Sequence, residues 1–213
     1  TARQIDRAQP DLTPGEKYLR TLEHLGSGSL ISDVSQYTLN NLQKSYAQLD
    51  QGTVEQIVDI LLRSDRKYIA GFRGTACCAQ YMASKLLFLT PHVVPILHAD
   101  ATAVENLLDI TERDCLFLYS FPRYSEIARP LMEIARESGA KVILMTDRRT
   151  SPLANKADVV VTAQVDGLGF TNSYVAPLSL SEVILLSVSG RKDVKDSKRF
   201  NRIDSVMERE KLY

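Results

Sequence analysis

The sequence predicts an α/β fold in which five parallel strands form one doubly wound sheet, preceded by helices. Two observations support this fold class. From residue 68 onward, five apolar runs alternate with helical patterns, and each run is continuous in its apolar character. Continuous apolar runs are typical of strands that are buried on both faces, as they are when helices cover both sides of a parallel sheet.

Capping signals and apolar periodicity predict three helices ahead of the sheet. Thr13-Pro14-Gly15-Glu16 combines an N-cap, a first-turn proline and the acid of a capping box, and the glycines at 26 and 28 end this helix. A second, amphipathic helix spans residues 30–49, where leucines recur at helical spacing. Thr53-Val54-Glu55-Gln56 is another capping box and opens a third helix with one apolar face.

Strands and helices then alternate. The five predicted strands span residues 68–72, 93–97, 115–119, 142–145 and 159–162. The helix after the third strand ends at Gly139, which takes the place of a C′ glycine. Pro130 conflicts with a start of this helix at Ser125, because proline inside a helix removes a hydrogen bond. The helix therefore begins later or bends at Pro130.

Two further segments follow the last strand. Residues 178–188 form a helix that is apolar on nearly all sides, so we expect it to be buried, in part against a second subunit. Residues 191–213 are rich in charge and are predicted to be a polar C-terminal tail in solvent.

The composition is that of an ordinary soluble globular protein and argues against several function classes. The 213 residues carry 26 basic and 26 acidic side chains, and this zero net charge is unlike that of a dedicated nucleic-acid-binding domain. The chain has no apolar run of about 18 residues, so no membrane partner is expected. Its three cysteines have no disulfide or metal-ligand spacing, so we expect a cytoplasmic protein without a metal or cofactor.

Polar side chains cluster where two of the predicted strands end. The candidate ligand-binding residues are Arg73, Gly74 and Thr75 after the first strand, and Ser120, Arg123, Tyr124 and Ser125 after the third. In an open α/β sheet the carboxyl ends of the strands face a crevice lined by helix N-termini. Guanidinium groups bind phosphate or carboxylate through two hydrogen bonds. The sequence therefore predicts a pocket for a phosphorylated sugar or a sugar acid.

Each of these residues also has a simpler interpretation. The hydroxyl groups could only cap helices, and the arginines could pair with a local acid such as Glu126. Tyr124 could stack on a sugar ring or make a capping contact. His98 and Asp100 follow the second strand at the same edge of the sheet, where a lone histidine is more often structural. Glu182 lies in the last apolar helix, where its pKa could rise enough for proton transfer or where it could hold a subunit interface.

Four segments, taken in order, resemble the SIS (sugar isomerase) domain family. Gly71–Thr75 resembles its G-x-G-x-S loop, Ser120–Ser125 its S-x-S-G-x-T loop, and Ser151–Ala154 with Ala157-Asp158 its S-P-L-A…A-D segment. The helical run at residues 30–63 resembles the linker helices of RpiR/MurR-family bacterial transcriptional regulators.

Two departures from the family motifs occur in the first two loops. Arg73 replaces the second glycine of the first loop, and Pro122-Arg123 replaces the Ser-Gly of the second. The chain is similar to a branch of RpiR-like regulators that carries G-F-R and F-P-R-Y at these places. By resemblance, Thr75 takes the position of the hydroxyl residue that binds phosphate in the family. Pro122 has no backbone N–H, so it cannot donate a hydrogen bond to a phosphate as the usual loop does.

The resemblance implies a five-stranded, flavodoxin-like SIS sandwich preceded by linker helices. Residues 1–29 would be a connector and hinge from a missing N-terminal helix-turn-helix domain, residues 30–190 the linker helices and the effector-binding SIS domain, and residues 191–213 the tail. This implies an effector-binding homodimer or homotetramer that reaches DNA only through the absent domain. The alternative is an aldose–ketose sugar-phosphate isomerase, for which only Glu182 and His98 are candidate catalytic residues.

Overall fold

The computed structural model describes residues 13–25, 29–169, 171–195 and 198–212. The helices are α1 (Pro14–Leu25), α2 (Leu30–Gln48), α3 (Gln51–Arg63), α4 (Ala76–Leu89), α5 (Ala101–Glu105), α6 (Ala128–Glu137), α7 (Val175–Ser189), α8 (Lys192–Lys195) and α9 (Arg199–Arg209). The strands are β1 (Lys67–Gly71), β2 (Val93–Ile96), β3 (Cys115–Tyr119), β4 (Lys141–Thr146) and β5 (Val159–Thr162). Short 3-10 turns occupy Arg73–Thr75 and Ala154–Lys156.

All five strands are parallel and form one sheet in the order β2-β1-β3-β4-β5. The chain leaves β1 towards β2 and then returns to place β3 on the other side of β1. The direction of winding therefore reverses between β1 and β3, whose last residues Gly71 and Tyr119 lie opposite each other. The predicted doubly wound parallel sheet is confirmed, and its switch point, where a crevice opens in such sheets, lies between these two strands.

The core has one layer on each face of the sheet. Side chains from α3, α4 and α7 pack with Phe117, Ile143 and their neighbours on one face. Side chains from α5 and α6 pack with Leu116 and Leu118 on the other. Successive residues of β3 alternate between the two layers and all are buried. Burial on both faces explains why a central strand such as β3 is continuously apolar, whereas the edge strand β2 is only partly buried.

Two helix starts can be compared with their capping signals. Glu16 accepts hydrogen bonds from the Thr13 backbone N–H at 2.7 Å and from the Thr13 hydroxyl at 2.8 Å, which confirms the capping box of α1. The capping box at residues 53–56 is wrong, because α3 begins earlier, at Gln51. Asp50 is its N-cap and accepts the Thr53 backbone N–H at 2.8 Å.

The helix after β3 resolves the conflict at Pro130. Helix α6 begins at Ala128, so Pro130 lies in its first turn, where the missing N–H breaks no helical hydrogen bond. Gly139 has a φ of 77°, which confirms it as the C′ glycine. The segment that follows Ser151 contains only the 3-10 turn at Ala154–Lys156.

The segment predicted as a solvated tail contains α8 and α9, and α9 contacts α4. The Arg199 guanidinium donates two hydrogen bonds to the Leu87 carbonyl, at 2.9 Å and 2.7 Å. The rings of Phe88 and Phe200 lie 6.3 Å apart between centroids. Residues 1–12 of the predicted connector and the glycines at 26 and 28 lie outside the described residues. No helix in the described ranges is long and apolar enough to cross a bilayer.

Candidate ligand-binding site

A cavity of about 320 Å³ opens at the carboxyl ends of β1 and β3. Three segments line it, namely the loop after β1, the loop after β3 and the segment that leads into α7. The lining residues are Phe72, Arg73, Gly74, Thr75, Tyr119, Ser120, Phe121, Pro122, Arg123, Ser125, Thr171, Asn172 and Tyr174. The cavity therefore occupies the switch point of the sheet, and its volume suits a small organic ligand.

Six of the seven predicted ligand-binding residues line this cavity. They are Arg73, Gly74, Thr75, Ser120, Arg123 and Ser125. Tyr124 does not line it, because its phenol donates a hydrogen bond to an Asp147 carboxylate oxygen at 2.7 Å. Stacking on a sugar ring in the cavity, one of the two interpretations of Tyr124, therefore has no support in the structure.

In the loop after β1, Thr75 closes a tight turn. Its hydroxyl donates to the Phe72 carbonyl at 2.9 Å and accepts the Phe72 backbone N–H at 2.7 Å. The hydroxyl proton is thus already used within the loop, and the side chain makes no capping hydrogen bond to α4, unlike the capping interpretation. Gly74 allows a close approach, since a Cβ atom at this position would lie 2.8 Å from Cε2 of the Tyr174 ring.

In the loop after β3, Ser120 has an unsatisfied polar atom. Its backbone N–H donates to the Met145 carbonyl at 3.0 Å and so extends the sheet by one residue. Its side chain is buried, and its Oγ has no hydrogen-bond partner among the described residues. A buried hydroxyl without a partner is costly, so a ligand that supplied one would bind favourably there.

Arg73 and Arg123 both have a left-handed backbone, with φ angles of 54° and 67°. This conformation costs a residue with a Cβ atom about 1–2 kcal/mol, which explains why the resembled motifs carry glycine at both positions. Arg73 and Arg123 are both exposed, at the mouth of the cavity. Among the described residues, no acid forms an ion pair with either guanidinium, so the expected alternative of a pair with Glu126 is not observed.

The segment before α7 forms part of the site, although it was not among the predicted ligand-binding residues. Thr171, Asn172 and Tyr174 all line the cavity. The Asn172 amide donates to the Pro122 carbonyl at 3.3 Å, and the Tyr174 ring meets Phe121 edge-on with centroids 5.9 Å apart. Burial raises the pKa of the Tyr174 phenol, against the opposing effects of Asn172 and Arg123, so this group stays neutral. The sequence feature that could have identified this segment is its polar and aromatic run between a glycine-rich loop and an apolar helix.

The candidate acid–base residues lie away from this cavity. His98 and Asp100 line a separate cavity of about 210 Å³ beyond the end of β2. Glu182 is exposed on α7 and accepts a hydrogen bond from the Tyr81 phenol at 2.7 Å. Of the described residues that line the larger cavity, none is Asp, Glu or His. Within the described ranges, no group of three or more His, Cys, Asp or Glu residues could hold a metal ion.

Comparison with protein families gives the same assignment as the fold. The model of the SIS domain family matches residues 60–187, which is more than half of the chain. The chain belongs to the SIS domain family. No curated protein matches its sequence significantly.

Solved structures confirm the fold of this SIS domain. The sugar isomerase domain of an RpiR transcription factor from Sphaerobacter thermophilus superposes with a TM-score of 0.78 at 22% identity, covering 85% of this chain and 99% of that chain. The Vibrio vulnificus NanR protein complexed with ManNAc-6P has a TM-score of 0.69 at 18% identity, covering 89% and 74%. A Bacteroides fragilis protein that is described as a phosphosugar isomerase involved in capsule formation has a TM-score of 0.63 at 22% identity, covering 83% and 96%.

Proposed function

We propose that this SIS domain binds a phosphorylated sugar or a sugar acid, and that it is the effector-binding and oligomerisation part of an RpiR-type transcriptional regulator of carbohydrate metabolism. One observation carries the proposal. Arg73 and Arg123 line one cavity from two loops, together with the unpartnered hydroxyl of Ser120 and without a neutralising acid among the described lining residues. Such a cavity favours an anion that also offers hydroxyl groups.

Two further findings support a regulator. Helices α2 and α3 precede the sheet and occupy the place of the linker helices in the resembled regulators. Two of the similar structures are described as an RpiR transcription factor and as the NanR protein with ManNAc-6P. In the proposed function the effector favours one arrangement of the subunits, and an N-terminal helix-turn-helix domain outside this sequence contacts DNA.

The proposed assembly is a homodimer or a homotetramer. A cluster of exposed apolar side chains supports association, because contiguous apolar patches are typical of interfaces. Leu30, Ile31 and Val34 lie within about one turn of α2 at 37%, 88% and 47% exposure. Leu186 on α7 is 70% exposed.

The geometry favours sensing over isomerisation. An aldose–ketose isomerase needs a base beside the substrate carbon that loses its proton. Among the described residues that line the cavity, none is a carboxylate or an imidazole, and Glu182 is bonded to Tyr81 instead. A protein of similar fold, MJ1247 from Methanococcus jannaschii, has a TM-score of 0.60 at 14% identity. The description of its structure infers the function of a 3-hexulose-6-phosphate isomerase. The isomerase function therefore remains the alternative to test.

A thermal-shift screen of phosphorylated sugars and sugar acids tests the proposed function. A ligand at one hundred times its Kd should stabilise the domain by about 2.7 kcal/mol, or roughly 5–10 °C in Tm. Neutral parent sugars at the same concentration are the control. If no anionic sugar raises the Tm, the ligand-binding function is wrong. Steady turnover of a ketose phosphate that is lost in Glu182→Gln would instead establish the isomerase.

A further inference from the structure

We propose that Asp147 is a positioning residue of the ligand-binding site, because its carboxylate holds Tyr124 and thereby fixes the neighbouring Arg123 at the cavity. Neither Asp147 nor Tyr124 lines the cavity itself. This role rests on the proposed function. It adds the loop after β4 to a site that is otherwise built from the loops after β1 and β3 and the segment before α7.

Asp147 directly follows β4, the strand that pairs with β3. Its side chain is only 12% exposed, and its Oδ1 accepts the Tyr124 phenol at 2.7 Å and the Thr146 hydroxyl at 3.2 Å. Its Oδ2 lies 3.5 Å from Nη1 of Arg148. A nearly buried carboxylate needs hydrogen-bond donors, and a hydrogen bond to it is roughly twice as strong as one between neutral groups. Asp147 therefore holds the Tyr124 phenol strongly at the end of β4.

The two neighbours of Arg123 are bonded to different parts of the fold. The Pro122 carbonyl accepts the Asn172 amide, from the segment before α7, at 3.3 Å. The Tyr124 phenol donates to Asp147, in the loop after β4. The chain between β3 and α6 forms no strand or helix of its own. Contacts with other segments therefore determine the conformation of Arg123.

The backbone of Arg123 requires such contacts. Its φ of 67° is left-handed, and an unfavourable conformation of this kind persists only where the surrounding structure imposes it. When the bond from Tyr124 to Asp147 is removed, one of the two constraints is lost, and the backbone can relax towards negative φ. The guanidinium then leaves its place in the cavity lining, and a ligand must order the loop again as it binds.

A positioning role and a simple electrostatic role of Asp147 predict effects of opposite sign. The carboxylate lies close to a site that is proposed to bind an anion, so removal of its charge alone should strengthen binding. Asp147→Ala also removes the acceptor of the Tyr124 phenol, so a positioning role predicts weaker binding. Asp147→Asn removes the charge but keeps an acceptor oxygen.

Calorimetry with inorganic phosphate, gluconate, glucose 6-phosphate and N-acetylmannosamine 6-phosphate as probes tests this role. For each probe that binds the parent domain, Tyr124→Phe and Asp147→Ala should each raise the Kd about 5- to 30-fold, the equivalent of ordering the backbone of one residue. Asp147→Asn should bind at least as tightly as the parent. Circular dichroism checks that each variant is folded at the temperature of the titration.

Two controls identify Arg123 as the residue that is positioned. In an Arg123→Ala background, Tyr124→Phe should change the Kd by less than about twofold, because the guanidinium that it positions is absent. Tyr81→Phe is the matched control, since the Tyr81 phenol also donates to a carboxylate at 2.7 Å, that of Glu182, outside the cavity lining. This variant should leave the Kd unchanged.

Two results would overturn the positioning role while the proposed function stands. The first is a probe that binds the parent with a Kd that is unchanged or lowered in Tyr124→Phe and Asp147→Ala. The second is a loss of affinity in Asp147→Asn as large as that in Asp147→Ala, since the hydrogen bond from Tyr124 would then not be the cause. If no probe binds the parent domain, the proposed function fails and the positioning role fails with it.

Discussion

Because Arg73 and Arg123 have a left-handed backbone, their effect on stability can be distinguished from their effect on ligand binding. Each has a Cβ atom at a positive φ, which is unfavourable, and each provides a guanidinium to the cavity. Substitution by glycine and by alanine should therefore have different effects on stability but similar effects on ligand affinity.

We predict that Arg123→Gly raises the free energy of unfolding by up to about 1 kcal/mol, because relief of the left-handed strain exceeds the added chain entropy of glycine. Arg123→Ala keeps the strain and should not stabilise. Both variants should weaken the anionic ligand by about 1.5–3 kcal/mol, the value of a charged hydrogen bond. Urea unfolding and calorimetry measure the two effects. Unchanged affinity in both variants would place Arg123 outside the binding function.

Gly74 is required by the ring of Tyr174. A Cβ atom at this position would lie 2.8 Å from Cε2 and 2.9 Å from the phenol oxygen. Gly74→Ala should therefore lower the free energy of unfolding by about 1–3 kcal/mol and weaken ligand binding, because the ring must move. Chemical denaturation and calorimetry measure these losses. The same substitution in a Tyr174→Ala background should cost much less, and an equal cost in the two backgrounds would show that the ring is not the cause.

Among the secondary-structure elements, α7 is joined to the sheet by a buried chain of hydrogen bonds. The Tyr119 phenol at the end of β3 lies 2.7 Å from the Ser181 Oγ, and that hydroxyl donates to the Pro177 carbonyl at 2.8 Å. Tyr119 is fully buried and burial raises its pKa, so it acts as a neutral donor to Ser181. These hydrogen bonds fix α7 against β3, and the loop that follows β3 lines the cavity.

Ser181→Ala should lower the free energy of unfolding by about 1–3 kcal/mol, because it leaves the buried Tyr119 phenol without an acceptor. Ser187→Ala is a matched control in the same helix. Its hydroxyl also donates to a carbonyl of its own helix, that of Val183 at 2.8 Å, and has no such partner in the described part of the sheet. Chemical denaturation of the two variants gives the comparison. Equal losses would show that the contact with Tyr119 contributes nothing.

Asp158 ties the start of β5 to the start of β4. Burial by itself would raise the pKa of this carboxyl, but the Val142 backbone N–H at 2.8 Å and the Lys141 ammonium at 2.9 Å outweigh it and hold the pKa below its usual value. Because the pKa is lower in the folded than in the unfolded state, the stabilisation is fully present above the unfolded pKa. It is lost as the pH falls through the folded pKa.

We therefore expect Asp158→Asn to be less stable than the parent at neutral pH, with a difference that shrinks on acidification. Urea unfolding at a series of pH values from neutral to strongly acidic measures this difference. Asp109→Asn removes an exposed carboxylate and serves as the control. A difference that does not change with pH would mean that the charge of Asp158 is unimportant.

In the molecule as a whole, the segment between β5 and α7 contacts α2 and also lines the cavity. The Asn41 amide donates to the Asp166 carbonyl at 2.6 Å, and the Ser45 hydroxyl accepts the Gln164 backbone N–H at 2.8 Å. Further along, the same segment provides Asn172 and its neighbours to the cavity wall. The position of α2 and the shape of the cavity therefore depend on one stretch of chain.

Asn41→Ala should lower the free energy of unfolding by about 1–3 kcal/mol, because a buried hydrogen bond is lost. It should also weaken ligand binding, although Asn41 does not line the cavity. Lys44→Ala removes an exposed side chain from the same helix and should do neither. Hydrogen exchange at residues 163–169 and calorimetry provide the measurements. Faster exchange with unchanged affinity would mean that the segment does not couple the helices to the cavity.

Local patterns in the sequence were sufficient to predict the sheet and most of the cavity. Strand burial is encoded locally, because a strand covered on both faces must be apolar throughout, and the five apolar runs correspond to the five strands. The loops after β1 and β3 meet because parallel strands end at the same edge. That rule brought together Arg73, Thr75, Ser120 and Arg123.

Only the folded molecule shows which side chains contact each other when they are far apart in the sequence. The Tyr124 phenol turns to Asp147, Glu182 bonds to Tyr81, and the Tyr174 ring closes over Gly74. The two hydrogen-bonded pairs are separated by 23 and 101 positions in the chain. The direction of a side chain in a loop depends on such distant partners, and local periodicity carries no information about them. Strand patterns therefore fix where the cavity forms, whereas the packing of distant segments selects the side chains that face into it.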